Sequence, residues 1–370
     1  MKIIVAPDKF KGSLSSFEIC AAVIEGITNS NRNSKVLAFP MADGGDGFGK
    51  VMKHYLKTES VHCNTVDPLG RPITAIYEWD QQNSTAIIEM AVASGLYLLN
   101  DDEKNPWLTS TFGTGLMIKD AIKKGAKSII LGLGGSATND AGTGILAALG
   151  FEFLDGSHRT VEPCGGTLGE MKRIQMPADI PAIKFQIACD VTNVLYGKQG
   201  AAYVYGPQKG ADAQQVAALD RGLKNFSHVL LQLKGGDVSN IPGTGAAGGI
   251  AAGLIPFFEV EMKSGIEMIV DVSGIENELR HAQLLITGEG RIDLQSGEGK
   301  VVGYMASLAD RNKIPCFAIC GEMKLDQAGL KNLRLQKTLA LTSSSITKEE
   351  AIANARSLIV EKIGELVTGL

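Results

Sequence analysis

The sequence predicts an α/β protein, and three observations carry that prediction. First, short, continuously apolar runs near both ends of the chain, such as Ile3 to Ala6 and Leu284 to Ile286, lead into loops of glycines and charged residues and then into helical patterns. This βα rhythm belongs to a parallel sheet covered by helices. Second, the rhythm breaks at Val66-Asp67-Pro68-Leu69-Gly70-Arg71-Pro72, beyond which the strand-like runs Ile73 to Trp79 and Ala86 to Met90 follow each other directly. Third, residues 128–150 read as strand, glycine turn and helix start. The expected fold is therefore a discontinuous doubly wound α/β domain, Rossmann-like or flavodoxin-like, made of residues 1–67 and 265–370, with a second mixed α/β domain, residues 68–264, inserted.

The elements follow in order. Ile3 to Ala6 is a buried strand, and Ser15 with Glu18 makes a capping box for a helix reaching about Ile27. Lys35 to Phe39 is a second strand, followed by the loop Pro40-Met41-Ala42-Asp43-Gly44-Gly45-Asp46-Gly47 and a helix to Leu56. After the break, residues 109–124 form a helix leading to the central strand Ile129 to Leu133, and Phe185 to Ala188 forms another strand. Residues 197–210 read as irregular, Ala211 to Leu233 as a long amphipathic helix, and Gly243 to Leu254 as a further one. The rhythm resumes with Leu284 to Thr287, the loop Gly288-Glu289-Gly290-Arg291-Ile292-Asp293 and the helix Val301 to Ala309. Pro315 to Ile319 and Lys337 to Leu341 are the last strands, and Lys348 to Val367 the closing helix.

Composition narrows the function classes. A net charge of -4 with dispersed lysines and arginines offers no basic stripe for nucleic acid. The six cysteines contain no C-x-x-C pair and the five histidines no H-x-x-x-H pair, which argues against zinc and for reduced thiols. No apolar run approaches the roughly 18 residues of a membrane span, and the N-terminus lacks a signal-peptide pattern, so a cytoplasmic protein without membrane or nucleic-acid partners is expected. The sequence leaves homo-oligomerisation open. The 44 glycines gather at strand-to-helix joints, where backbone can approach a ligand.

The loop after the central strand, with Gly134, Gly135, Ser136, Thr138 and Asn139, offers backbone N–H groups and a helix N-terminus to an anion. Gly132, Gly134 and Ala137 also fit the relaxed dinucleotide fingerprint, with Asp155 as a ribose acid. A nucleotide-dependent transferase and a nicotinamide oxidoreductase acting on a small hydroxy acid thus both stand, and a non-enzymatic small-anion-binding protein is a third class. Gly299-Lys300 resembles the end of a P-loop, but Leu294 stands where its first glycine belongs and Val301 where its serine or threonine belongs. Asp43, Asp46, Asp190 and the alternating Glu289, Arg291 and Asp293 supply the acids and cation that phosphoryl transfer requires. Helix caps and structural ion pairs are the competing explanation for each.

Taken together, the motifs Ala6-Pro7-Asp8-Lys9-Phe10-Lys11-Gly12-Ser13, Ala42-Asp43-Gly44-Gly45-Asp46-Gly47, Gly132 to Asp140, Cys189-Asp190-Val191, Gly206-Pro207-Gln208-Lys209-Gly210 and Thr287 to Asp293 resemble the type 1 glycerate kinase family over nearly the whole chain. The resemblance implies ATP-dependent phosphorylation of D-glycerate, a Mg²⁺ requirement and two α/β domains with the site in the cleft between them. It leans to 2-phosphoglycerate as product. Lys9, Asp46 and Val194 depart from the family pattern, which often has serine, glutamate and proline there. On residue chemistry, Gly134, Gly135, Ser136, Thr138 and Asn139 are expected to hold the nucleotide, and Asp43 with Asp46 or Asp190 the Mg²⁺. Lys11, Ser13, Glu289 and Arg291 are expected to bind substrate, Lys11 and Arg291 serving its carboxylate. Asp190, or after it Asp293, is expected to accept the hydroxyl proton.

Overall fold

The computed structural model describes residues 1–30, 33–297 and 300–368. β1 (Lys2–Pro7) leads into α1 (Ser16–Ser30), and β2 (Lys35–Ala38) into α2 (Phe48–Leu56). A hairpin of β3 (Glu59–Val66) and β4 (Pro72–Asp80) follows, then β5 (Thr85–Glu89), α3 (Ala91–Ser94) and α4 (Phe112–Lys124). Next come β6 (Ser128–Gly132), α5 (Thr143–Ala148), β7 (Glu152–Leu154), β8 (Arg173–Gln175), β9 (Lys184–Ala188) and α6 (Ala201–Tyr205). α7 (Ala213–Lys234), α8 (Ile250–Leu254), β10 (Glu259–Lys263), α9 (Gly265–Ser273) and α10 (Ile275–Leu279) continue the chain. It finishes with β11 (Leu284–Ile292), α11 (Val301–Arg311), β12 (Cys316–Met323), α12 (Gln327–Asn332), β13 (Lys337–Ala340), α13 (Lys348–Ala353) and α14 (Ala355–Thr368). Among the described residues no helix is long and apolar enough to cross a membrane.

Two compact units result. The first combines Met1–Asp43 with Ser264–Leu370, and its sheet runs β13-β12-β11-β1-β2 with every pair parallel. Counted within the unit, that order is 2-1-3-4-5, the flavodoxin-like winding, whose strand order reverses between β1 and β11. Ile3, Val5, Leu284, Ile286, Phe317 and Ile319 face α1 and the closing helices. The intervening Ile4 and Leu285 are buried as well, as a sheet covered on both faces requires.

The second unit, Gly44–Lys263, holds a six-stranded sheet in the order β10-β9-β6-β5-β4-β3, parallel from β10 to β5 and antiparallel beyond. Pairing of β3 with β4 carries residues 59–66 into this sheet, so the first boundary falls after Asp43 where the sequence placed it after 67. Val61, Cys63 and Thr65 alternate with polar residues in a two-residue period that marks this strand. Three further departures are local. β11 extends through Glu289 and Arg291, which the sequence assigned to a loop, because β12 pairs with it as far as Ile292. α6 and a 3₁₀ turn, Pro207–Lys209, replace the irregular segment at 197–210, and the closing helix is interrupted at Asn354.

Candidate active site

In a doubly wound sheet, ligands bind outside the carboxyl ends of the strands where their order reverses. In the first unit that point is the exit of β1 and β11, whose register pairs Pro7 with Gly288. The next residues are Asp8 and Glu289, each only 6% exposed. Burial, reinforced by Asp43, pushes the Asp8 carboxyl up to about 7, although Lys9 opposes the shift. Burial likewise pushes Glu289 up to about 7 against a hydrogen bond from Ser296 and the charge of Lys300. Glu289 Oε1 is buried and has no hydrogen-bond partner among the described residues. Lys9 Nζ lies 3.9 Å from Asp8 Oδ1 and 3.6 Å from Asp43 Oδ1. Three carboxylates and a lysine therefore converge at the switch point.

The sequence singled out Asp43 and Glu289 of this group but passed over Asp8, and it preferred Lys11 to Lys9. Lys9 faces the acids, whereas Lys11 is exposed in the turn closed by the Phe10–Leu14 bridge. The Ser13 hydroxyl donates to the Ile352 carbonyl at 3.0 Å, a fold contact. Arg291 sets Nε and Nη2 on Asp293 Oδ2, each at 2.9 Å, and Lys300 Nζ is 3.9 Å from Oδ1. Arg291 and Asp293 are thus partners of each other. Glu298 and Gly299, before Lys300, lie outside the described residues.

In the second unit, register aligns Glu89, Gly132 and Ala188 at the carboxyl edge of β5, β6 and β9. Asp190, half-buried, follows two residues beyond Ala188. The glycine loop leaves Gly135 exposed and Gly134 and Ser136 half-buried, but Thr138 and Asn139 are fully enclosed. Its glycines serve packing: a Cβ on Gly134 would collide with Gly45 Cα, and one on Gly132 would lie 3.1 Å from the Gly44 carbonyl oxygen. The two glycine-rich loops interlock, and Asp46 stands exposed in the first of them.

The helix start that the sequence offered to an anion, that of α5, is not open, and neither is that of α2. At α5 the buried Asp140 carboxylate accepts from the backbone of Thr111 at 2.8 Å and of Gly142 and Gly144 at 3.2 Å, and from the Thr111 hydroxyl at 2.8 Å. Burial drives the Asp140 carboxyl up, and those four donors hold it back. Lys209, 2% exposed, donates to the Thr138 carbonyl at 2.6 Å; burial lowers its amine to about 7 and Asp140 opposes this. At α2 the carboxylate of Glu89 occupies the same kind of position, accepting from Gly49 N at 2.7 Å and Gly47 N at 3.3 Å. Three partially exposed positions, Gly134, Gly135 and Ser136, remain of the expected anion cradle. The ribose acid expected at Asp155 instead closes a surface turn, accepting from Ser157 N at 2.7 Å and Arg159 Nε at 2.9 Å.

Three acids and a lysine thus gather at the carboxyl edge of the first unit's parallel sheet, where doubly wound folds bind small molecules. The model of the glycerate kinase family matches residues 3–369. A glycerate kinase of Bacillus cereus is 39% identical over 95% of this chain and 93% of its own, and a glycerate 2-kinase of Escherichia coli 37% identical over 96% and 94%. A crystal structure from Salmonella typhimurium LT2, of a protein assigned as glycerate kinase 2, superposes with a TM-score of 0.85 at 35% identity, covering 100% of this chain and 98% of that one. The chain belongs to the glycerate kinase family. It is a kinase, a phosphotransferase with an alcohol group as acceptor and ATP as the phosphoryl donor.

Proposed function

We propose that this kinase transfers the γ-phosphoryl group of ATP to the 2-hydroxyl of D-glycerate, yielding 2-phosphoglycerate. The observation that carries the proposal is the convergence of Asp8, Asp43 and Glu289 with Lys9 at the switch point of the first sheet, in a chain of this family. The 2-position is supported by the Escherichia coli relative, whose name specifies it.

Mg²⁺ fits these residues in a particular way. Among the described residues no group of three Asp, Glu, His or Cys is arranged to hold a metal alone. Mg²⁺ in phosphoryl transfer takes most of its ligands from phosphate and water and needs one or two carboxylates. The unpartnered Glu289 Oε1 and the raised Asp8 mark a place where a cation would relieve buried negative charge. Asp43 is the carboxylate we assign to it there, and Asp46 or Asp190 is the further carboxylate we assign to the ion. When bound, the ion offsets charge on the phosphates.

The chain's own groups do the rest. Gly134, Gly135 and Ser136 present backbone to the nucleotide phosphates, while Thr138 and Asn139 are enclosed and the Thr138 carbonyl accepts from Lys209. Arg291 and Lys11 receive the glycerate carboxylate, with Glu289 and Ser13 at the same edge of the fold. Asp190 accepts the hydroxyl proton; Asp293 is second choice because two guanidinium N–H groups already occupy its Oδ2. Removing a positioned base costs on the order of 10²–10⁴-fold in turnover. Asp190→Asn should show such a loss with its melting temperature intact, and a loss of only a few-fold would disprove the base assignment. Phosphorus NMR of the product tests the position: 3-phosphoglycerate would overturn the 2-hydroxyl assignment.

A further inference from the structure

α2 begins without a side-chain cap, because its N-cap is Gly47 in the left-handed region at φ 88°. A helix start leaves its first N–H groups unpaired, and a carboxylate is the group that satisfies them best. Glu89 supplies it from the last position of β5, gripping Gly49 N through Oε1 and Gly47 N through Oε2. Gly49 leaves the room this needs: a Cβ there would lie 2.9 Å from Glu89 Oε1. Below the same segment, Gly44 and Gly45 rest on Gly132 and Gly134. The loop is therefore fixed at its base by glycine-to-glycine contact and at its far end by one carboxylate, and Asp46 lies between those two anchors. Burial pushes the Tyr97 hydroxyl up, and the charges of Glu89 and Asp46 add to the shift.

We propose that Glu89 is a positioning residue of the phosphoryl-transfer reaction: by holding the N-terminus of α2 it fixes the direction in which Asp46 presents its carboxylate. The proposal rests on the assignment of Asp46 to the metal–phosphate group made above. What Glu89 contributes is acceptor geometry. Glutamine in its place keeps an oxygen for Gly49 N–H, whereas alanine leaves both amides uncapped. Misplacement of a reacting group by about 1 Å costs on the order of 10²-fold.

The test uses the full-length enzyme with Glu89→Ala, Glu89→Gln, Asp46→Asn and the Glu89→Ala/Asp46→Asn double variant, comparing kcat, KM for each substrate and amide exchange of residues 44–52 without ligand. Expected are a kcat loss of roughly 10–10²-fold for Glu89→Ala, recovery to within about 3-fold for Glu89→Gln, and no further loss when Glu89→Ala is added to Asp46→Asn. The 44–52 amides should exchange faster in Glu89→Ala and stay protected in Glu89→Gln. Should Glu89→Ala fold poorly, Gly49→Ala displaces the carboxylate without removing it and should reproduce the kcat loss. Equal damage from Gln and Ala would show that the charge itself acts, and multiplying losses in the double variant would show independence; either overturns the proposal. If Asp46→Asn lowers kcat but Glu89→Ala does not, positioning fails alone. If Asp46→Asn leaves kcat unchanged, the assignment of Asp46 fails and the proposal with it.

Discussion

Asp8 owes its properties to a strand pairing 281 positions away. In isolation it is a charged residue in a charged loop, which ordinarily means solvent exposure. Its backbone N–H bonds to the Gly288 carbonyl at 2.8 Å, and this pairing draws it beside Glu289 and out of water. The local sequence made Asp43 and Glu289 visible as candidates through their glycine-rich surroundings, but pairing between β1 and β11 has no local signal, so Asp8 and the placing of Lys9 beside these acids were beyond reach. A measurable consequence follows from proton linkage. The native carboxyl titrates near 7 and an unfolded aspartate near 3.8, so the folded state holds the extra proton between these values. Stability from Asp8 is complete below the lower value and drains away as pH rises through the upper one. Asp8→Asn removes this loss. Its stability advantage over wild type should grow by about 2–3 kcal/mol between pH 5 and pH 8 at 1.36 kcal/mol per unit. Urea denaturation at both pH values checks this; a constant difference would contradict it.

At the level of elements, strand, glycine turn and short helix at 128–150 were plain in the sequence, but the purpose of the glycines was not. Glycine-rich strand-to-helix joints suggest phosphate cradles because that is one use of close backbone approach. Here the approaching backbone belongs to the chain itself, Gly45 against Gly134, and the helix starts are filled by Glu89 and Asp140. Glu89 comes from 40 residues away, and Asp140 reaches the Thr111 backbone 29 residues back, so neither cap could be seen in a local motif. β10 escaped notice for a related reason: Glu-Val-Glu-Met-Lys is too polar to read as a strand until β9 pairs with it. The interlock also makes a prediction. Gly134→Ala must push two loop backbones apart, and overpacking of this kind typically costs about 1–3 kcal/mol. A urea midpoint unchanged within roughly 0.5 kcal/mol, the scale of an ordinary surface substitution, would show that the loops yield freely.

For the molecule as a whole, the return of the βα rhythm at the far end of the chain pointed to a discontinuous unit, because strands that share a sheet share a pattern wherever they occur. The boundary is a separate matter, since it depends on which sheet claims β3. Residues 3–27 and 284–367 supply one apolar core and residues 63–258 the other. All strands of the six-stranded sheet come from within Gly44–Lys263. A segment with its own sheet and core is a folding unit in its own right, so residues 44–263 expressed alone should unfold cooperatively in urea. Residues 1–43 hold β1, α1 and β2 but not β11, the neighbour on which β1 lies, and should order only when residues 264–370 are added. A second fragment decides between the two boundaries. Starting at residue 68 removes α2 and β3, which strips β4 of its whole antiparallel partner and takes the buried Phe48, Val51, Met52 and Cys63 with them. If the boundary after Asp43 is the physical one, fragment 68–263 must expose an unpaired edge and aggregate or unfold at lower urea than 44–263. Equal midpoints would return residues 44–67 to the first unit.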